Sequence, residues 1–424
     1  MPKYLDLFAG AGGLSEGFIR AGYEPVAHVE MDVAACYTLK SRVAYHWLKK
    51  KRSPEIYENY LKGDISRDDF YKNIPSEILN SVLNYEISAE SLNQIFSDID
   101  RMLKNKKLDL IVGGPPCQAY SLAGRSRSQN HMIGDKRNYL YKFYAEFLKK
   151  YKPQYFVFEN VVGLLSAKDE DGTFHLENMR ELFKICGYST ELRLLNAADY
   201  GVLQNRKRII LIGERGKHKN FYPQIPTIKN EHKVGELFCD LPSIEAGEGA
   251  ITPTKTFHYA GKYLYNSKIK EYDTEPVTFH QARPNNQQDL EIYRIVVDAW
   301  DRKRARVIYT DLPQRLRTHN NTQSFLDRFK VVAGDLPCAQ TVVAHISRDG
   351  HYFIHPDIKQ NRSLTPREAA RIQTFPDNYY FESVTGKPSR TLAYKQIGNA
   401  VPVCLAYSIA KSLLDRFAKD DDDG

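Results

Sequence analysis

Five short segments of this chain hold residue types that could do chemistry together. Asp6-Leu7-Phe8-Ala9-Gly10-Ala11-Gly12-Gly13 puts three glycines where an apolar run meets a helical pattern. Glycine lets the backbone turn tightly and approach a ligand, and the helix start offers free amides, so a nucleotide-like cofactor fits; a purely structural turn would use the same residues. Glu30 and Asp64 are expected at the tips of the next two strands. An acid after the second strand can accept from both ribose hydroxyls, and one after the third from an adenine amino group, although as isolated surface acids they would mean nothing.

Gly113-Gly114-Pro115-Pro116-Cys117-Gln118 follows the apolar run 108–112. Two prolines fix the backbone just before the thiol, at the sheet edge where ligands collect, so Cys117 is expected to be a nucleophile rather than a packing residue. The stretch 121–135, with Arg125, Arg127, Gly124 and Gly134, reads as a basic loop able to close over a polyanion. Glu159, in Glu159-Asn160-Val161, ends another apolar run and can serve as acid and as base; capping the next helix is its bland use. In Gln204-Asn205-Arg206-Lys207-Arg208, strand alternation sends Arg206 and Arg208 to one side, where two guanidiniums suit an anion or a carbonyl oxygen.

The elements that must position these groups follow a regular rhythm. Apolar, β-branched and aromatic runs at 4–8, 25–29, 108–112, 155–158, 192–195 and 208–212 alternate with helical spacing at 13–22, 32–41, 138–150 and 174–186. That predicts an α/β fold with a mostly parallel, Rossmann-like sheet over 1–218, in which the polar, Leu/Ile-spaced stretch 66–107 is read as a helical insertion. From 219 to 362 the rhythm stops, and a second, smaller, irregular domain is expected. Its stretch 302–330 carries Arg302, Lys303, Arg304, Arg306, Arg315, Arg317, Arg328 and Lys330, which is either a binding surface or a solvated face. Thr365-Pro366-Arg367-Glu368 has the N-cap, proline and reciprocal acid of a helix start within a connecting segment, 363–391. A final segment, 392–424, ends in a helix over 401–417.

Composition narrows the class. With 424 residues, 42% apolar and 26% charged, the chain has room for two or three folded domains and is neither disordered nor fibrous. No apolar run approaches 18 residues and the N-terminus has no secretion-signal order, so a cytoplasmic protein without membrane contact is expected. Net charge is +8; setting aside Asp420 to Asp423 leaves 60 basic against 48 acidic residues, or +12, which suits a polyanionic partner. Six cysteines without a CxxC pair give no support to a metal site or a disulfide framework.

The ordered set DLFAGAGG, GGPPCQ, ENV, QNRKR, LTPREAARIQTFPD and QIGNAVP resembles that of the cytosine-C5 DNA methyltransferases. The resemblance implies S-adenosylmethionine as cofactor, S-adenosylhomocysteine as product and no metal. By it, Phe8 stacks on adenine, Gly10 and Gly12 line the methionine end, Glu30 binds the ribose and Asp64 the adenine amine. Leu140 packs on adenine, while Asn399 and Ala400 close the pocket, which requires 392–424 to return to the first domain. Cys117 would add to C6 of a flipped-out cytosine, Glu159 would act at N3, Arg208 at O2, and Arg206 would orient the thiolate. The region 219–362 becomes a target-recognition domain on double-stranded DNA, with Arg125, Arg127, Arg302, Arg304, Arg315 and Arg317 as candidate contacts. A monomer paired functionally with a restriction endonuclease is expected. The alternatives are a tRNA-methylating branch of the superfamily, disfavoured by the large basic 219–362 region, and an inert DNA-binding relative, which would be expected to lack Cys117 or Glu159.

Overall fold

The computed structural model describes residues 1–116, 139–253 and 261–422. Seven strands form one sheet: β1 Lys3–Leu7, β2 Glu24–Glu30, β3 Val82–Asn84, β4 Leu110–Gly113, β5 Tyr155–Asn160, β6 Tyr188–Asn196 and β7 Lys207–Arg215, in the order β3-β2-β1-β4-β5-β7-β6. The first five are parallel, and β7 runs antiparallel between β5 and β6. Leu110-Ile111-Val112 and Tyr155-Phe156-Val157-Phe158 are buried on both faces, as apolar runs in a helix-covered parallel sheet must be. From β1 the chain works outward to β3, then returns to place β4 on the other side of β1. The carboxyl ends of β1 and β4 therefore flank the crevice where open α/β sheets bind ligands.

The helices of this part among the described residues are α1 Gly13–Arg20, α2 Val33–Lys51, α3 Glu55–Lys62, α4 Arg67–Lys72, α5 Ser76–Leu79, α6 Leu92–Leu103, α7 Leu140–Tyr151 and α8 His175–Ile185. Two expectations need correction here. The stretch 66–107 is not an insertion hung on the sheet: it contains β3, and Ile95, Ile99 and Leu103 of α6 are buried in the sheet's own core. A three-residue strand is too short to leave a periodic signal. Asp64 is consequently not at a strand tip. It is exposed in the link between α3 and α4, where Gly63 at φ 80° ends α3 and the Asp64 amide donates to Asn59 O. Gly-Asp here is helix-ending chemistry.

Residues 219–362 hold few regular elements. The helix Gln287–Lys303 packs Ile292, Tyr293, Val296 and Val297 against Tyr309, Leu312, Leu316 and Phe329. The helix Pro366–Ile372 opens with the reciprocal Thr365 and Glu368 bonds and is buried throughout. Its arginines, with Arg362 just before it, tie the parts together, because a buried guanidinium must find acceptors. Arg371 pairs with Asp240 and Asp377, Arg362 with Glu368, and Arg367 donates to Thr278 O, Pro376 O and Tyr379 O.

The chain then passes through the helix Arg390–Asn399 to the helix Val403–Asp422, which lies on α1. A β-carbon at Gly17 would stand 2.4 Å from the Ala406 side chain, and one at Gly13 would stand 2.4 Å from Val401 O. Two glycines on α1 thus permit the close approach. The stretch 390–418 is long and apolar enough to cross a membrane, but 61% of its most apolar window is buried within the fold, as in a core helix.

Candidate active site

The first glycine turn is pinned by several elements. Ala9 N–H donates to Val29 O, Gly12 N–H to Ala9 O, and Gly10 N–H to Glu30 Oε2 at 2.8 Å. The other Glu30 oxygen accepts from the Asp32 amide at 2.8 Å. Burial raises the Glu30 carboxyl above its ordinary value, and these amide bonds oppose the rise. A carboxylate has about four acceptor sites, and the Met31 amide also draws on this one, so capacity remains for a ribose hydroxyl. The glycines play unequal parts. Among the described residues a β-carbon at Gly10 would meet nothing within 4 Å, which marks the open side of the turn, whereas one at Gly12 would lie 2.8 Å from Leu39 Cδ2 and from the Tyr379 hydroxyl. Phe8, half-buried, is held at φ 57°, a left-handed conformation that costs a bulky residue about 1–3 kcal/mol and is found where a site demands it.

Asp6 lies within this strand's buried run, both its carboxyl oxygens lack a hydrogen-bond partner among the described residues, and burial pushes its pKa well up. Leu140 opens α7 at the carboxyl edge, because α7 descends from that edge to re-enter at β5. Asn399 is exposed at the end of its helix, and the Ala400 methyl lies 3.1 Å from where a Gly13 β-carbon would be. The open face at Gly10, the remaining acceptor capacity of Glu30 and an Asp6 without a hydrogen-bond partner among the described residues fit a cofactor that carries a ribose and a cationic end.

The second cluster is at the carboxyl ends of β4 and β5. Glu159 and Arg208 are mostly buried, with Arg208 Nε 2.8 Å from Glu159 Oε1. A β-carbon on Gly114 would stand 2.7 Å from Glu159 Oε2 and 2.4 Å from its carbonyl, so only glycine fits beside that carboxylate. Asn160 Nδ2 donates to Pro115 O at 3.2 Å, which ties the strand end to the Pro115-Pro116 segment. Cys117 itself, with Arg125 and Arg127, lies outside the described residues.

Comparison with known proteins decides the family. The profile of the C-5 cytosine-specific DNA methylases matches residues 2–69 and 78–415. The chain belongs to that family. The methylase is 40% identical over 457 residues to the type II methyltransferase M.Bpa9945I of Bacillus paralicheniformis, covering 97% of this chain and 98% of that one. It is 31% identical to M.DdeI of Desulfomicrobium norvegicum, covering 96% and 88%. Its fold matches a DNA modification methyltransferase encoded within an E. coli prophage with a TM-score of 0.64, 21% identity and coverage of 99% and 100%. The methylase is thus a DNA (cytosine-5-)-methyltransferase, an activity that implies S-adenosylmethionine as methyl donor and double-stranded DNA as substrate.

Three expected sites look different in the methylase's structure. Arg206 does not face the Glu159 cluster. It precedes β7, is buried, and donates to Val342 O at 2.5 Å, Gly398 O at 3.1 Å and Ala400 O at 2.9 Å. Strand alternation fails because residue 206 is not yet in the strand, and its guanidinium clamps 342 to the QIGNAVP segment instead. Asp64 yields the position after β3 to Asn84-Tyr85-Glu86-Ile87, where Asn84 Nδ2 donates to Glu30 O and Met31 O, both at 3.0 Å. The basic run 302–330 is largely neutralised: Arg302 pairs with Asp298, Arg304 with Asp335, Arg315 with Glu291, Arg328 with Asp349 and Lys330 with Asp327. Lys303, Arg306 and Arg317 are exposed without an ion pair among the described residues. Gly114 and Asn160 were visible in the sequence only as members of GGPPCQ and ENV, without a stated task.

Proposed function

We propose that the methylase flips its target cytosine into the space between the Glu159–Arg208 pair and the Pro115-Pro116 segment, which Cys117 follows in sequence. The Glu159–Arg208 contact carries this reading, since it sets a carboxyl group and a guanidinium side by side where cytosine offers N3 and O2. Cytosine C5 is too weak a nucleophile to be methylated directly. The Cys117 thiolate therefore adds to C6, with Glu159 bonding N3 and the exocyclic amine and Arg208 stabilising the charge that develops at O2. S-Adenosylmethionine supplies an electrophilic methyl group to C5, leaving S-adenosylhomocysteine. Loss of the C5 proton to a base then expels the thiolate and restores the aromatic ring.

Phe8, Gly10, Gly12, Glu30, Leu140, Asn399 and Ala400 form the cofactor site in this reading, with Asp6 available to the methionine ammonium. Arg206 is a clamp and Asp64 has no part. Residues 219–362 read the flanking bases, with Lys303, Arg306 and Arg317 as the unpaired cations available to phosphates; Arg302, Arg304 and Arg315 must first leave their acids, which costs little at an exposed pair. The relatives are named type II methyltransferases, which supports a modification enzyme; that it works in the cytoplasm as a monomer and protects DNA from a paired restriction endonuclease is part of the proposal. The test is bisulfite sequencing of DNA from cells expressing the chain, with a 5-fluorocytosine duplex to trap the Cys117 adduct. Protected cytosines in one sequence context and an adduct lost in Cys117→Ser are expected. Methylation confined to RNA, or an adduct that survives Cys117→Ser, would overturn the reading.

A further inference from the structure

Behind the cofactor turn stands a residue from the far end of the chain. Tyr379 is fully buried, and its hydroxyl donates to Ala11 O at 2.5 Å across 368 residues of sequence. The Ala11–Gly12 peptide is therefore gripped at both ends, its N–H by Ala9 O at 3.0 Å and its carbonyl by Tyr379. Because a peptide unit is planar, holding both ends fixes its rotation, and with it the direction of the amides that open α1. The same hydroxyl lies 2.8 Å from where a Gly12 β-carbon would be, so Tyr379 occupies the closed side of the turn while Gly10 faces the open one.

The ring is itself fixed. Arg42 lies 4.8 Å from its centroid, and that guanidinium is held by Glu16 of α1 at 2.6 and 2.8 Å and by Asn378 at 2.8 Å. Phe375 packs against the ring at 4.7 Å between centroids. The backbone carbonyl of Tyr379 accepts from Arg367, whose guanidinium also donates to Thr278 O at 2.8 Å. One residue thus touches the cofactor turn with its hydroxyl and is tied by its carbonyl to the region 219–362.

We propose that Tyr379 is a positioning residue for S-adenosylmethionine: it does not touch the cofactor but holds the Ala11–Gly12 peptide in the orientation that binds it. The inference rests on the assignment of the cofactor to this turn. The test is calorimetric titration of the full chain with S-adenosylmethionine and with S-adenosylhomocysteine, in wild type, Tyr379→Phe and Tyr188→Phe. Tyr188 is a fitting comparator, since its buried hydroxyl also donates to a backbone carbonyl, Pro153 O at 2.7 Å, at the opposite edge of the sheet. Loss of one such bond should weaken both ligands roughly three- to tenfold in Tyr379→Phe. KM for the cofactor should rise by a similar factor while kcat at saturation stays within about twofold. Tyr188→Phe should lower the melting temperature without moving either Kd. Unchanged Kd values in Tyr379→Phe, or equal losses in both variants, would overturn the inference. Failure of wild type to bind either ligand, or retained binding in Glu30→Ala, would instead overturn the cofactor assignment.

Discussion

Arg208 reaches Glu159 diagonally. On antiparallel β5 and β7 Glu159 stands opposite Ile210, and Arg208 lies two residues away on the same face, within reach of a long side chain. The contact at 2.8 Å therefore follows from strand register. Removing either partner leaves the other charge buried and unpaired. Glu159→Gln and Arg208→Ala should each lower the single-turnover methylation rate by about 10²-fold or more, with cofactor Kd unchanged. The double variant should be far less than additive, a result that a double-mutant cycle reads directly.

Gly114→Ala should behave as a catalytic variant although residue 114 has no side chain. The added methyl group needs space now held by the Glu159 carbonyl and Oε2. The carboxylate must move, and an ångström of displacement costs about 10²-fold in rate. A lowered melting temperature, because the β5 carbonyl must also give way, alongside a rate that stays slow at temperatures where the variant is folded, is the expected pair of measurements.

Arg206→Ala should fail by instability. Its guanidinium serves three backbone carbonyls in the interior, and their loss should cost about 2–5 kcal/mol in denaturant unfolding. Arg206→Lys, with one compact charge in place of a planar fork, should recover part of the stability.

Glu382 gives the fold a pH dependence. Burial pushes its carboxyl up to about 7, despite hydrogen bonds from Ser41 and Tyr60 to Oε1. An acid whose folded pKa is raised favours folding while protonated, so its contribution is full below the unfolded value, near 4.5, and is lost as pH rises through about 7. Between pH 5 and pH 8 the wild type should lose roughly 1–3 kcal/mol relative to Glu382→Gln. Melting temperatures of the two proteins across that range check the sign.

On DNA, Lys303→Ala, Arg306→Ala and Arg317→Ala should each flatten the slope of log K against log salt by about 0.9 if the cation meets a phosphate. Arg302→Ala, Arg304→Ala and Arg315→Ala should flatten it less, because each cation is already partnered by an acid in the free protein. Equal slopes in all six would show that intramolecular pairing does not sort these residues.

Local sequence was enough for whatever depends on neighbours along the chain. Apolar runs set β1, β2, β4 and β5, the Thr365–Glu368 box sets a helix start, and glycines at 10 and 12 permit left-handed backbone. The positions of Glu30 and Glu159 at strand tips were legible for the same reason. What sequence misplaced depends on partners far away in the chain. Arg206 and Arg208 look alike two residues apart, yet one faces carbonyls at 342, 398 and 400 and the other faces Glu159. Asp64 reads as a strand-tip acid until α6 and a three-residue β3 take the third place in the sheet. Tyr379 gives no local sign of its task, because the bond that defines it closes across 368 residues. Short-range rules fix which conformation a segment prefers, but where a buried charge or hydroxyl finds its acceptor is decided only when distant segments pack, since desolvation makes that pairing obligatory.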